Sequence, residues 1–161
     1  MKLKLIHGRG EVSVDVPEEN LAAVLRKSPA PPLAEPEQML RRSLQSPIEA
    51  DPLARLADGR ESAVIVISDI TRPVPNRLIL TPILQTLADA GLAGEHITIL
   101  IATGMHTPNT GPLLDELVGP EIAADSRILN HDGRDADSHA TLGMTARGTP
   151  VHIDRHYCEA D

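Results

Sequence analysis

Two short, unbroken runs of mostly β-branched residues constrain this chain more than any other feature: Ala63-Val64-Ile65-Val66-Ile67 and Ile97-Thr98-Ile99-Leu100-Ile101. Runs of this length and character are the pattern of strands buried on both faces, as in parallel sheets sheltered by helices. Each is followed by a polar loop and then by a helix-forming segment. The first of these helices carries Leu84, Leu87 and Ala88, and Gly91 can close it. Thr81-Pro82 suits its N-cap and first helical position, with a start near Asn76 and a kink at Pro82 as the alternative. The second helix is predicted from about Pro112 to Val118, and Ser126–Asn130 reads as a third strand. Strand–helix–strand alternation of this kind calls for an α/β fold, a Rossmann-like and mostly parallel sheet flanked by helices, with right-handed crossovers.

The chain ahead of this region has a different texture. Lys2–His7 and Glu11–Val16 alternate polar and apolar residues around Gly8-Arg9-Gly10, which predicts an N-terminal β-hairpin. Residues 28–36, Ser-Pro-Ala-Pro-Pro-Leu-Ala-Glu-Pro, are too proline-rich for a helix or a central strand and read as an extended linker. Glu37–Gln45 places Met39, Leu40 and Leu44 on one side of a helix that Pro47 ends. At the other end, Ala140–Asp154 holds short β-like pieces around a Gly148-Thr149-Pro150 turn. Residues 1–161 thus read as one domain with the linker inside it.

Composition narrows the function classes. With no Phe, no Trp and only Tyr157, the core must be built from Leu, Ile, Val and Ala, and no aromatic platform exists for stacking bases. A formal charge of −8 also opposes a phosphate backbone, so a nucleic-acid partner is not expected. Cys158 is the lone cysteine, which leaves no internal disulfide and no C-x-x-C pair for zinc. The opening Met-Lys-Leu-Lys-Leu-Ile-His is a strand pattern, not a signal peptide, and no stretch is long enough to span a bilayer. A cytoplasmic protein with no membrane partner is the expectation.

In open parallel sheets, ligands bind beyond the carboxyl ends of the strands. Those positions here hold Ser68-Asp69-Ile70-Thr71-Arg72-Pro73-Val74-Pro75-Asn76 and Ala102-Thr103-Gly104-Met105-His106-Thr107-Pro108-Asn109-Thr110. If the two strands are neighbours, an acid (Asp69), a guanidinium (Arg72) and an imidazole (His106) share one crevice. Arginine can grip a carboxylate or phosphate with two parallel hydrogen bonds, and histidine titrates where proton transfer is useful. The plainer reading makes Asp69 and Arg72 a local loop salt bridge, with Asp69 capping the turn, and His106 a surface residue. Residue chemistry alone leaves both open.

Ser-Asp-Ile-Thr-Arg-Pro-Val-Pro-Asn at 68–76 and Ala-Thr-Gly-Met-His at 102–106, with Asn-His-Asp-Gly-Arg-Asp at 130–135, Leu-Gly-Met-Thr at 142–145 and Arg-Gly-Thr-Pro-Val at 147–151, resemble in order the N-terminal domain of the nickel-dependent lactate racemase family. The similarity covers essentially the whole chain. Any one of the five motifs is weak, and their order is what carries the resemblance. It implies an isomerase that interconverts stereoisomers of small 2-hydroxy acids with a nickel-pincer nucleotide, a Ni-pyridinium-3,5-bisthiocarboxylate mononucleotide. A histidine removes the hydroxyl proton while hydride passes from the substrate carbon to the cofactor, and hydride returns to the opposite face with help from a second histidine. By the resemblance, His106 matches the first histidine. Asp69, Ile70, Thr71 and Arg72 match the loop against the cofactor, with Arg72 positioning a substrate carboxylate or cofactor phosphate and Asp69 orienting Arg72.

Family members are considerably longer. The second histidine, the cofactor-bearing lysine and the nickel-binding histidine are expected in a C-terminal part of the same enzyme, so no metal ligand is assigned here and the chain alone is expected to be inactive. Two alternatives belong to other classes: a non-catalytic α/β domain that holds a phosphate or partner, and a metal-dependent hydrolase built on His106, His131 and Asp132. The His131-Asp132 pair supplies too few ligands by itself and reads as the end of a strand. His152 and His156 are spaced for a shared metal only on a helix, and in β-like sequence they suit a surface role. His7, His96 and His139 carry no motif.

Overall fold

The computed structural model describes residues 1–92 and 94–161. It divides into two compact units, Met1–Pro32 and Leu33–Asp161. In the first, β1 (Lys2–His7) and β2 (Gly10–Asp15) pair antiparallel, from Lys2 opposite Asp15 to His7 opposite Gly10. Gly8 makes the tight connection possible by taking a φ of 57°, a left-handed value that a side chain would resist. The hairpin is the expected one, with its second strand starting one residue earlier.

The second unit opens with α1 (Pro36–Gln45) and a single turn, α2 (Leu53–Ala57). Then come β3 (Ala63–Ile67), α3 (Asn76–Asp89), β4 (Ile97–Gly104), α4 (Pro112–Val118), α5 (Pro120–Asp125) and β5 (Arg127–Asp132). The three strands form a parallel sheet in the order β3-β4-β5, with Ala63 beside Ile97 and Ile67 beside Ile101. An antiparallel hairpin follows, β6 (His139–Met144) with β7 (Pro150–Asp154), and the short α6 (Arg155–Glu159) comes last. The fold is therefore α/β, as the alternation requires.

The core lies against the helices. Ile99 and Ile101 of β4 are fully buried and pack with Ile67, with Leu80 of α3, and with Leu117 and Val118 of α4. A second cluster joins Ile97 to Ala57, Leu87 and Leu92. Burial on both faces holds for β4, where Ile97 to Ile101 are all buried. It does not hold for β3, which has only one strand neighbour and leaves Val66 exposed.

The preferred start of α3 at Thr81-Pro82 is also corrected, because the helix begins at Asn76 and Pro82 sits inside it. Without an N–H, Pro82 cannot bond the Leu78 carbonyl. The Thr81 hydroxyl, which resembled a cap, instead donates to the Arg77 carbonyl one turn back at 2.8 Å. No helix among the described residues is long and apolar enough to cross a membrane.

Candidate functional site

Parallel pairing of β3 and β4 brings their carboxyl ends side by side, and the loops that follow meet there. Asp69 lies two residues past β3 and is only 4% exposed. One carboxylate oxygen, Oδ1, accepts from the Thr71 hydroxyl at 2.6 Å and from the Thr71 backbone N–H at 3.3 Å. This local turn is a habit of aspartate in loops. The other oxygen, Oδ2, accepts from Nδ1 of His106 at 2.5 Å. The Thr71 hydroxyl, then His106, hold the Asp69 carboxyl below the usual carboxylate range, against a smaller opposing push from burial.

His106 reaches this position because β4 ends irregularly. The β4–β5 register shifts between Ile101 and Gly104, and Gly104 takes a left-handed φ of 60°. A register break at a strand end re-aims the side chains that follow. The His106 N–H then closes a turn on the Thr103 carbonyl at 3.0 Å. The imidazole is 54% exposed while its carboxylate partner is buried. This arrangement fixes Nδ1 on Asp69 and leaves Nε2 as the available nitrogen.

A second layer of polar contacts ties the loops together. The Asn130 side chain on β5 accepts from the Asn109 backbone N–H at 2.8 Å and donates to the Asn109 carbonyl at 3.1 Å. It also accepts from the Thr103 hydroxyl at 2.9 Å. Buried Asn109 in turn accepts the Ile70 N–H at 3.3 Å.

Arg72 follows the same strand end and its backbone N–H bonds the Asp69 carbonyl at 3.1 Å. Its side chain is exposed and has no hydrogen-bonding or ionic partner among the described residues. The expectation that Asp69 orients Arg72 is thus corrected, as is the plain loop salt bridge. Both carboxylate oxygens face Thr71 and His106, and the guanidinium is left free.

His131 lies elsewhere in the network of charges. Its Nδ1 donates to Oδ2 of buried Asp154 at 2.8 Å, linking the end of β5 to the end of β7. His156 contacts Asp154 Oδ1 through its backbone N–H at 2.9 Å and its ring at 3.2 Å. Burial pushes the Asp154 carboxyl up, but the bonds from His131 and His156 outweigh it and the net direction is down. Asp132 spends Oδ1 on the Arg134 N–H at 2.9 Å. The hydrolase alternative needed His106, His131 and Asp132 to converge, and no such metal-binding group forms among the described residues.

The family model described as "Lactate racemase N-terminal domain" matches residues 7–161. The chain belongs to that family. Lactate racemase N-terminal sequences are similar to it along nearly its full length. The lactate racemase of Lactiplantibacillus plantarum is 33% identical and that of Thermoanaerobacterium thermosaccharolyticum 28% identical, each over 99% of this chain. The chain spans 38% of the length of each of these relatives. The structure of the lactate racemase apoprotein from T. thermosaccharolyticum superposes on the whole chain with a TM-score of 0.81, using 37% of its own length. A Thermotoga maritima protein shares the fold at a TM-score of 0.56 and 16% identity over 74% of the chain.

Within this lactate racemase N-terminal domain, sequence reasoning missed Asn109, Asn130 and Asp154. Asn130 sits inside a motif that carries the family resemblance and Asn109 lies three residues past another, yet nothing in a motif says which neighbour an amide meets. Asp154 had one local signal. Its side chain caps the His156 N–H, and Asp two residues before an amide at a helix start is a capping pattern.

Proposed function

We propose that this chain is the N-terminal segment of a longer enzyme that interconverts the stereoisomers of a small 2-hydroxy acid, lactate being the type case. The observation that carries this reading is the family match across residues 7–161. The rest of the enzyme would supply a C-terminal domain, in keeping with the 38% share of its relatives that this chain spans. We place the enzyme in the cytoplasm, where the thiol of exposed Cys158 stays reduced.

His106 is the catalytic acid–base group in this reading. With its Nδ1–H directed to Asp69, Nε2 presents a lone pair and takes the proton from the substrate hydroxyl. The imidazolium that results lies against a buried carboxylate, which stabilises it and holds the ring in place. Such a group contributes roughly 10²–10⁴-fold to turnover. Arg72, which has no hydrogen-bonding or ionic partner among the described residues, binds a carboxylate or phosphate through two parallel bonds.

The cofactor proposed is the nickel-pincer nucleotide, held in part by Asp69, Ile70, Thr71 and Arg72. The residues fit an anionic nucleotide. At the first turn of α3 the Asn76 Nδ2 is a buried donor with no acceptor, and Arg72 nearby in sequence is an unpaired cation. Unsatisfied donors at a helix start suit a phosphate. When bound, the nucleotide would accept and return hydride at the substrate carbon, which none of these side chains can do. Its metal would be held by the pincer group and by residues outside this chain.

The test presents the longer enzyme, loaded with cofactor, with one enantiomer of lactate and follows the other by chiral chromatography. Progress toward an equal mixture supports the proposal. Lactate and other 2-hydroxy acids that stay enantiomerically pure would overturn it.

A further inference from the structure

We infer that Asn109 and Asn130 are positioning residues, which relay the geometry of β5 through the two strand-end loops to set how Asp69 meets His106. The catalytic meaning of this relay rests on the racemase reading above, whereas its geometry does not.

Asn130 is the fixed end. It sits on β5 beside Ile101, and its side-chain amide forms a two-pronged contact with the Asn109 backbone, one bond to the N–H and one to the carbonyl. A carboxamide used this way replaces a missing strand partner, because it offers a donor and an acceptor side by side. The Thr103 hydroxyl donates to the same carboxamide oxygen, which gives it a second donor and fixes its orientation. Asn109 passes this order across the crevice. Its Oδ1 receives the N–H of Ile70, the residue between Asp69 and Thr71.

Asp69 and His106 therefore approach from two loops that Asn109 and Asn130 join beside the direct Asp69–His106 bond. The His106 loop is tied at Thr103 and Asn109, and the Asp69 loop is tied to Asn109 through Ile70. Asn109 and Thr103 are buried, at 2% and 3% exposure, while Ile70 and Asn130 are half-buried. Shielded polar bonds hold geometry firmly, since a broken one leaves an unsatisfied group.

The decisive variant is Asn109→Ala. It removes the acceptor for Ile70 and leaves untouched the two bonds that Asn130 makes to the Asn109 backbone. The readout is the tautomer of His106 in the isotopically labelled chain, taken from the ring-nitrogen chemical shifts at alkaline pH. In the unsubstituted chain the proton should reside on Nδ1, held by Asp69. Asn109→Ala should lose that signature in favour of a proton on Nε2, and Asn109→Asp, which restores an acceptor for Ile70, should recover it. An unchanged Nδ1–H signature in Asn109→Ala would overturn the relay. If Asn109→Ala does not fold, hydrogen exchange in the unsubstituted chain decides. Slow exchange of the Ile70 N–H supports the relay, and exchange at the rate of an exposed loop amide overturns it. Neither readout requires turnover, so the relay and the racemase reading fail separately.

Discussion

Nδ1 of His106 and Oδ2 of Asp69 lie 2.5 Å apart although thirty-seven residues separate them in the chain. The contact follows from parallel pairing of β3 and β4, which places both loops at one end of the sheet. Removing the charge of Asp69 while keeping its shape isolates what the contact does. Asp69→Asn should leave the fold intact and lower kcat of the longer enzyme by about 10²-fold or more, approaching ~10⁴ if the ring adopts the wrong tautomer. An unchanged kcat would mean that the carboxylate is a structural loop residue.

Arg72 should separate function from stability. Its side chain is exposed and has no hydrogen-bonding or ionic partner among the described residues, so Arg72→Lys should change the unfolding free energy by no more than about 0.5 kcal/mol. In the longer enzyme the same change should lower kcat/KM by roughly tenfold to a hundredfold, the worth of one charge-assisted bond, because an ammonium cannot make two parallel contacts. Urea melts and initial rates on the same protein provide both halves of the comparison.

Asp154 governs a different property. Its folded-state pKa is lowered, so its contribution to stability is complete above the unfolded value of about 3.9 and is lost as pH falls through the lower folded value. Asp154→Asn should therefore be less stable than the unsubstituted chain at neutral pH, with the gap closing below about pH 4. His131→Ala, which takes one donor from this buried carboxylate, should cost about 1–3 kcal/mol at pH 7. Chemical unfolding across a pH series checks both, and a gap that stays constant through the acid limb would contradict the assignment.

The core under the site is expected to be unforgiving. Leu80, 1% exposed between α3 and β4, should cost about 2–5 kcal/mol when replaced by Ala. Val66→Thr on the exposed side of β3 should change stability by no more than about 0.5 kcal/mol. Thermal or urea melts of the two variants measure the contrast.

Much of this architecture was legible because apolar periodicity reports burial directly. β3 and α4 stand where their patterns put them, the N-terminal hairpin lies within one residue of its pattern, and β4 runs three residues past Ile101, so Ala102 to Gly104 belong to the strand and not to the loop. Local chemistry misled where a tertiary contact prevailed. Thr81-Pro82 has the look of a helix start, yet burial of Leu80 and Pro82 carries the helix through it. Asp69 and Arg72 have the spacing of a loop ion pair, but a histidine from the loop after the next strand takes the carboxylate. The pairing of His131 with Asp154 joins residues twenty-three apart on different strands, and no short-range pattern encodes it.

The role proposed for His106, aligned by Asp69, is to move the substrate's hydroxyl proton. It is tested most directly by comparing single-enantiomer lactate turnover in the cofactor-loaded longer enzyme with and without His106→Ala, after verifying equal cofactor content. Turnover should fall by roughly 10²–10⁴-fold while the cofactor stays bound. Racemisation at a near-normal rate by the variant would contradict it and reduce His106 to an ordinary loop residue.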